Sequence, residues 1–183
     1  GSGVSNLVSN GSSDIFVAKL NSSGDLLWAR GVGGLGLDSS NEAALDANGN
    51  VYITGSFVQT VDFDPGAGVN NLTSAGNNDV FVAKVDSTGG FVWARAFGGL
   101  SGDKAYGLAV DATGNVYSAG YIAGTADLDP NPTATANFTS LGFNDIFLSK
   151  LNSAGTFVWA KTFGGGTQDG ARGVSLDSSG NIF

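Results

Sequence analysis

Asp14-Ile-Phe-Val-Ala-Lys19 returns as Asp79-Val-Phe-Val-Ala-Lys84 and again as Asp145-Ile-Phe-Leu-Ser-Lys150, at intervals of 65 and 66 residues. Self-similarity at a fixed period marks a repeat architecture, in which no unit buries its apolar surface alone. The same intervals relate Trp28, Trp93 and Trp159, and also Asp46, Asp111 and Asp177. The extra residue of the second interval lies in a loop, because Pro65 and Pro130 are still 65 apart whereas Leu72 and Phe138 are 66 apart. The chain is thus about three tandem copies of one unit.

Within one full copy the sequence predicts strand a over Ala105–Asp111 and strand b from Asn115 to about Ile122. A long connection through Asp127-Leu-Asp-Pro130 then leads to strand c over Asp145–Leu151 and strand d over Thr156–Phe163. Between a and b, Asp46-Ala-Asn-Gly49, Asp111-Ala-Thr-Gly114 and Asp177-Ser-Ser-Gly180 each join an Asp that can bond its own backbone to a Gly that accepts positive φ. The turns Asn21–Gly24, Asp86–Gly89 and Asn152–Gly155 do the same between c and d. Strand c is nearly continuous in apolar residues, Ile15-Phe-Val-Ala18, and is therefore expected to be covered on both faces, as between stacked sheets. A four-stranded antiparallel unit stacked on its copies makes a β-propeller; β-solenoid coils are usually much shorter than this unit.

Composition removes several function classes. With 42% hydrophobic residues among 183, the chain can bury a substantial core. Sixteen acidic against eight basic side chains leave a net charge of −8, which repels rather than steers a polyphosphate, so no nucleic-acid partner is expected. Without cysteine, histidine or methionine there are no disulfides, no thiolate or imidazole metal ligands and no Ser/His or Cys/His nucleophile. No apolar run reaches the roughly 20 residues that span a bilayer, so no membrane insertion is expected.

Gly98-Gly99, Asp103, Val110-Asp-Ala-Thr-Gly-Asn-Val-Tyr117, Asp79-Val-Phe-Val-Ala-Lys84 and Phe91-Val-Trp-Ala-Arg95 recur in one order along the chain. That succession resembles the bacterial beta-propeller repeat family often abbreviated SBBP, here with an Asp-Phe-Asp-Pro loop. The resemblance covers essentially the whole chain. It implies an all-β fold of propeller blades and, since such proteins are mostly large, secreted or surface-attached, an extracellular or cell-surface setting. It does not fix a ligand.

On this reading the chain is one propeller segment: strands c–d of one blade over 14–33, full blades over 38–99 and 103–165, and strands a–b of a further blade over 169–183. Gly3-Val-Ser-Asn-Leu7 matches Gly68-Val-Asn-Asn-Leu72, so the sequence opens in a b–c connection and reads as an excerpt. Three blades fall below the usual four to eight of a closed ring. The outer faces are expected to be covered by further blades of a longer parent chain, or by copies of itself assembling into a ring.

Candidate sites are few. Asp62 and Asp64, with Asp127 and Asp129, are alternate carboxylates on an extended segment and could share a hard cation, calcium above all, with loop carbonyls. The competing reading is that each caps a turn before the proline, as the run lacks the further ligands of an EF-hand loop. Asp38, Asp103 and Asp169 recur just before strand a and would crowd one mouth of a propeller channel, or cap the turns after Gly33-Gly34 and its equivalents. Asp14/Lys19, Asp79/Lys84 and Asp145/Lys150 lie five apart on a strand, hence on opposite faces, and suit ties between blades or strands.

Function follows the same weighing. The repeated carboxylates are equivalent by construction, whereas acid/base catalysis needs two groups in different environments. Glu42 alone breaks the pattern, facing Gly107 and Gly173 in alignment, and reads as a solvent-facing strand residue. The chain is therefore expected to be a non-catalytic structural or binding module of a secreted or surface protein, with no certain cofactor and a protein or glycan ligand. The alternative is a lectin-like propeller using Trp28, Trp93 and Trp159 as sugar platforms, although their apolar flanks suit packing between sheets. A glycosidase or lyase propeller would need unlike catalytic residues beyond these.

Overall fold

The computed structural model describes residues 6–183; residues 3–5 of the expected opening connection lie outside them. β1 (Ile15–Leu20) and β2 (Leu26–Gly34) form a hairpin. β3 (Ser39–Leu45), β4 (Val51–Phe57), the short β5 (Thr60–Asp62) and β6 (Asn71–Thr73), β7 (Asp79–Val85) and β8 (Phe91–Gly99) follow. β9 (Lys104–Val110), β10 (Val116–Ile122), β11 (Thr125–Asp127), β12 (Asn137–Thr139), β13 (Asp145–Leu151) and β14 (Phe157–Phe163) repeat that order. There is no helix among the described residues, hence none long and apolar enough to cross a membrane.

The fold is all-β, a partial β-propeller. β3, β4, β7 and β8 pair antiparallel in sequence order as one four-stranded blade, and β9, β10, β13 and β14 form the next. β1 and β2 are the third and fourth strands of the blade before them. The turns carry the chemistry that the sequence announces: Gly49, Gly89, Gly114 and Gly155 all have positive φ, where only glycine avoids strain. Strand c fits its predicted bounds because an Asp opens it and a turn closes it.

The b–c connection is more ordered than a loop. β5 pairs with β6, and β5 also pairs with β2 of the preceding blade, at Gly33↔Asp62 and Gly34↔Val61. β11 and β12 repeat the device against β8, at Ala126↔Gly99 and Asp127↔Gly98. Each blade thus straps a short hairpin onto the outer strand of its predecessor. Three-residue strands of mixed polarity are too short for periodicity to reveal.

Apolar residues alternate between the two faces of each blade and meet across the junctions. Ile15, Val17 and Trp28 of the first blade pack with Phe57, Phe63, Phe81 and Val85 of the second. Val80, Val82, Trp93 and Phe97 of the second pack with Leu108, Ile122, Phe147 and Leu151 of the third. Aromatic rings meet edge to face, Phe57 with Phe63 at 5.3 Å and Phe97 with Phe147 at 5.7 Å between centroids. Both faces of β7 are covered, which is why its middle, Val80 to Ala83, is apolar.

Residues 169–183 differ from the expected a–b strands. They fold back as a turn at Asp177–Gly180 with a single antiparallel bridge, Leu176↔Ile182, short of two named strands. In the full blades strand b is held on both sides, β10 by β9 and β13; here no third strand lies alongside among the described residues.

Stacking makes equivalent residues unequal. Phe147 is 0% exposed in a junction, whereas Phe16, its counterpart on the first blade, is 68% exposed. Phe147→Ala is expected to cost about 3–5 kcal/mol in urea denaturation, and Phe16→Ala under about 1 kcal/mol. Equal losses would contradict the junction.

Candidate functional site

The chemistry-bearing side chains gather at the blade junctions. On β8, Trp93 and Arg95 share a face by the two-residue period of a strand, with the guanidinium carbon 5.7 Å from the indole centroid. The Trp93 Nε1–H donates to the Ser153 carbonyl at 3.1 Å, and Arg95 Nε donates to the Gly155 carbonyl at 3.0 Å. Both acceptors lie in the c–d turn of the following blade. Trp28 and Arg30 repeat the contacts on Ser87 at 3.2 Å and Gly89 at 3.0 Å. A Cβ at Gly89 or Gly155 would stand about 3 Å from the indole, and these turn residues have positive φ besides, so glycine is required twice over. Lys19 adds a bond to the Ser87 carbonyl at 3.1 Å.

A second fastening lies where each blade hands over to the next. Asp38 accepts from the Gly34 N–H at 2.8 Å and the Val58 N–H at 3.2 Å; Asp103 accepts from Gly99 at 2.7 Å and Ala123 at 2.9 Å. Asp169 accepts from Gly165 at 2.9 Å. Asp38 and Asp103 are buried, and each staples the end of one blade's last strand to the end of the next blade's second strand.

Beside Asp103 stands Asp79, which opens β7 and accepts from the Ala75 N–H at 2.9 Å through one oxygen. Its other oxygen, and those of Asp14 and Asp145, is buried without a hydrogen-bond partner. A Cβ on Gly98 would lie 2.7 Å from the Asp79 carboxyl carbon and 2.8 Å from an Asp103 oxygen. The first glycine of Gly98-Gly99 therefore makes room for the two carboxylates. Burial pushes both acids up to about 6, Asp103 helped by the Asp79 charge and both opposed by their amide donors.

The strap loops place the Asp62/Asp64 and Asp127/Asp129 sets at turns. Asp62 Oδ1 accepts from the Asp64 N–H at 3.0 Å and the Asn70 N–H at 2.7 Å, and Asp64 Oδ1 from the Gly66 N–H at 2.7 Å. Asp127 and Asp129 repeat this with Asp129, Ala136 and Asn131. Among the described residues no three acidic side chains gather as a cation site. Lys84 reaches Asp46 at 3.6 Å and lies 4.7 Å from the Tyr52 ring centroid, so the lysines pair away from the aspartates five residues before them.

The profile of the beta-propeller repeat family matches residues 92–128. The chain carries a repeat of that family. The match runs from the Trp93 strand across the Gly98-Gly99 and Asp103 handover to the strap hairpin, which is the junction just described. Two relatives are similar in sequence. An uncharacterized WD repeat-containing protein of Acanthamoeba polyphaga mimivirus is 24% identical over 86% of this chain. The regulatory protein FlaEY of Caulobacter vibrioides is 30% identical over 66% of it. The chain spans 13% of the length of each.

Propeller packing decides what the tryptophans offer. Trp93 is 6% exposed and its N–H is taken, so a sugar could stack on it only if the junction opened. Glu42 is exposed beside a bulge in β3. The partners of the Trp-x-Arg clasp and the Asp79/Asp103 pairing arise only on folding; in the sequence they show as the recurrence of Trp-Ala-Arg in two successive blades and of Gly-Gly before the staple.

Because their folded acidities are weakened, Asp79 and Asp103 favour the native state when protonated. Their contribution is greatest below about pH 3.8 and is lost as pH rises through about 6. Asp111 acts oppositely, since hydrogen bonds from Asn115 and Thr113 outweigh its burial and hold it at about 2, but its window lies below pH 3.8. Asp79→Asn, whose amide can donate to Asp103, is expected to raise Tm at pH 7 and flatten the decline between pH 4 and 6. A wild-type slope in the variant would contradict the pairing.

Proposed function

We propose that this segment is a non-catalytic binding module that presents polar loops to a protein partner from a rigid stack of blades. One observation carries it: the repeated carboxylates are taken up by backbone amides, while a strap loop whose sequence differs between copies borders an open groove. Asn131-Pro132 stands where the previous strap has Gly66-Ala67. With Asn70, Arg95, Asp129 and Thr156 these residues line a groove of about 390 Å³ between the second and third blades.

Charge narrows the partner. The net charge of −8 favours encounter with a basic polypeptide. The names of the two relatives, one a WD repeat-containing protein and one a regulatory protein, agree with an interaction role for this module.

Selection of displayed peptides against the full chain is expected to enrich basic sequences. Thr156→Ala, at an exposed position, should weaken the best of them about fivefold, the loss of roughly one hydrogen bond, at unchanged Tm. No enrichment, or turnover of glycoside substrates by the chain, would contradict the reading.

A further inference from the structure

Three carboxylates stand at the head of the third strand of their blades, and all three are used alike. Asp14, Asp79 and Asp145 each accept through Oδ2 from a backbone N–H four residues earlier, Asn10 at 2.7 Å, Ala75 at 2.9 Å and Leu141 at 3.1 Å. The Oδ1 atom of each is buried without a hydrogen-bond partner. Each of these oxygens faces the first glycine of a Gly-Gly pair. A Cβ on Gly33, Gly98 or Gly164 would stand 2.5, 3.0 and 2.6 Å from it, respectively. An oxygen left over in the same place in three copies is a property of the repeat unit.

A second carboxylate follows each one 24 positions later. Asp38, Asp103 and Asp169 accept through Oδ2 from the second glycine of the same pair, at 2.8, 2.7 and 2.9 Å. In the middle copy the two acids converge on the missing Cβ of Gly98, which would lie 3.0 Å from Asp79 Oδ1 and 2.8 Å from Asp103 Oδ2. Asp79 is 3% exposed and Asp103 0%. Burial, and then the charge of Asp14, push Asp38 up as burial and Asp79 push Asp103 up, so the first pair also meets.

A buried, unmatched oxygen beside a second acid calls for a positive partner. Among the described residues no Lys or Arg forms an ion pair with Asp79 or Asp103. A water molecule would satisfy the free oxygen and leave two like charges side by side, and a proton is lost as pH rises through about 6. A hard cation answers both needs, because carboxylate oxygens are its preferred ligands. An open cavity of about 400 Å³ borders Asp79 and Gly98, and its titratable lining is Asp79, Asp127 and Asp129, all acidic. It offers a cation an approach of favourable sign and water to complete its shell.

We propose that Asp79 and Asp103 together hold a divalent hard cation of the calcium class at Gly98, and that Asp14 with Asp38 and Asp145 with Asp169 repeat the site. Two carboxylates cancel the charge of the ion, so no third acid is required. The ion joins the head of one blade's third strand to the entry of the next blade, where the staple already ties backbone to backbone. In chelator the Asp79/Asp103 pair takes a proton instead. The strap-loop carboxylates Asp62, Asp64, Asp127 and Asp129 are not ligands, and the site does not depend on the proposed protein partner.

Equilibrium dialysis of the full chain at neutral pH against about 1 mM calcium, within the range of weak protein sites, is expected to show bound metal. Asp79→Asn should lose one ion per chain, whereas Asp129→Asn, in the strap loop, should bind as the native chain does. Calcium should also raise the Tm of the native chain above its value in chelator, and raise that of Asp79→Asn less. Asp145→Asn makes the same test in the third copy if Asp79→Asn folds poorly, and should again lose one ion per chain. A native chain that binds no calcium, folded Asp79→Asn or Asp145→Asn that binds as much as the native chain, or a loss in Asp129→Asn equal to that in Asp79→Asn would each overturn the proposal.

Discussion

A blade with apolar residues on both faces cannot exist alone in water; its neighbours are its solvent. That constraint explains the composition of the long strands, the burial of Phe81 and Phe147, and the recurrence of the junction residues at one period. Hydrophobic contact has no direction of its own. Register between blades comes instead from the Trp93 and Arg95 bonds to Ser153 and Gly155 and from the β11 strap on β8, which allow one seating of sheet on sheet.

The carboxylates serve the same end. Asp38 and Asp103 each tie two blades through backbone amides, and the acids in the strap loops organise turns. Asp79 departs from this economy, with one oxygen buried and unmatched beside Asp103. The cost of a buried unpaired acceptor is about 1–3 kcal/mol, which protonation of the pair relieves. In the binding role proposed above, a frame whose polar groups are so occupied leaves recognition to the strap loops.

The fold was legible because three independent signals repeat in phase: the Asp-x-Phe strand, the Asp-x-x-Gly turns and the tryptophan strand. Bounds of β13 and β10 follow from turn residues at both ends. What stayed hidden depends on tertiary partners. The strap hairpins have three residues a side and are held by pairing to another blade. Asp79 and Asp103 stand 24 positions apart, so only folding brings them to Gly98. Residues 169–183 carry the sequence of two strands, and no third strand lies beside them among the described residues.

The junction can be read directly from the exchange of the three indole N–H groups with solvent in dilute protein. Buried, bonded groups exchange only when structure opens, exposed ones at once. Trp93 is expected to be strongly protected and Trp159 to exchange fastest, with Trp28 between them. Trp93 exchanging as fast as Trp159 would mean that the blades are not clasped as described.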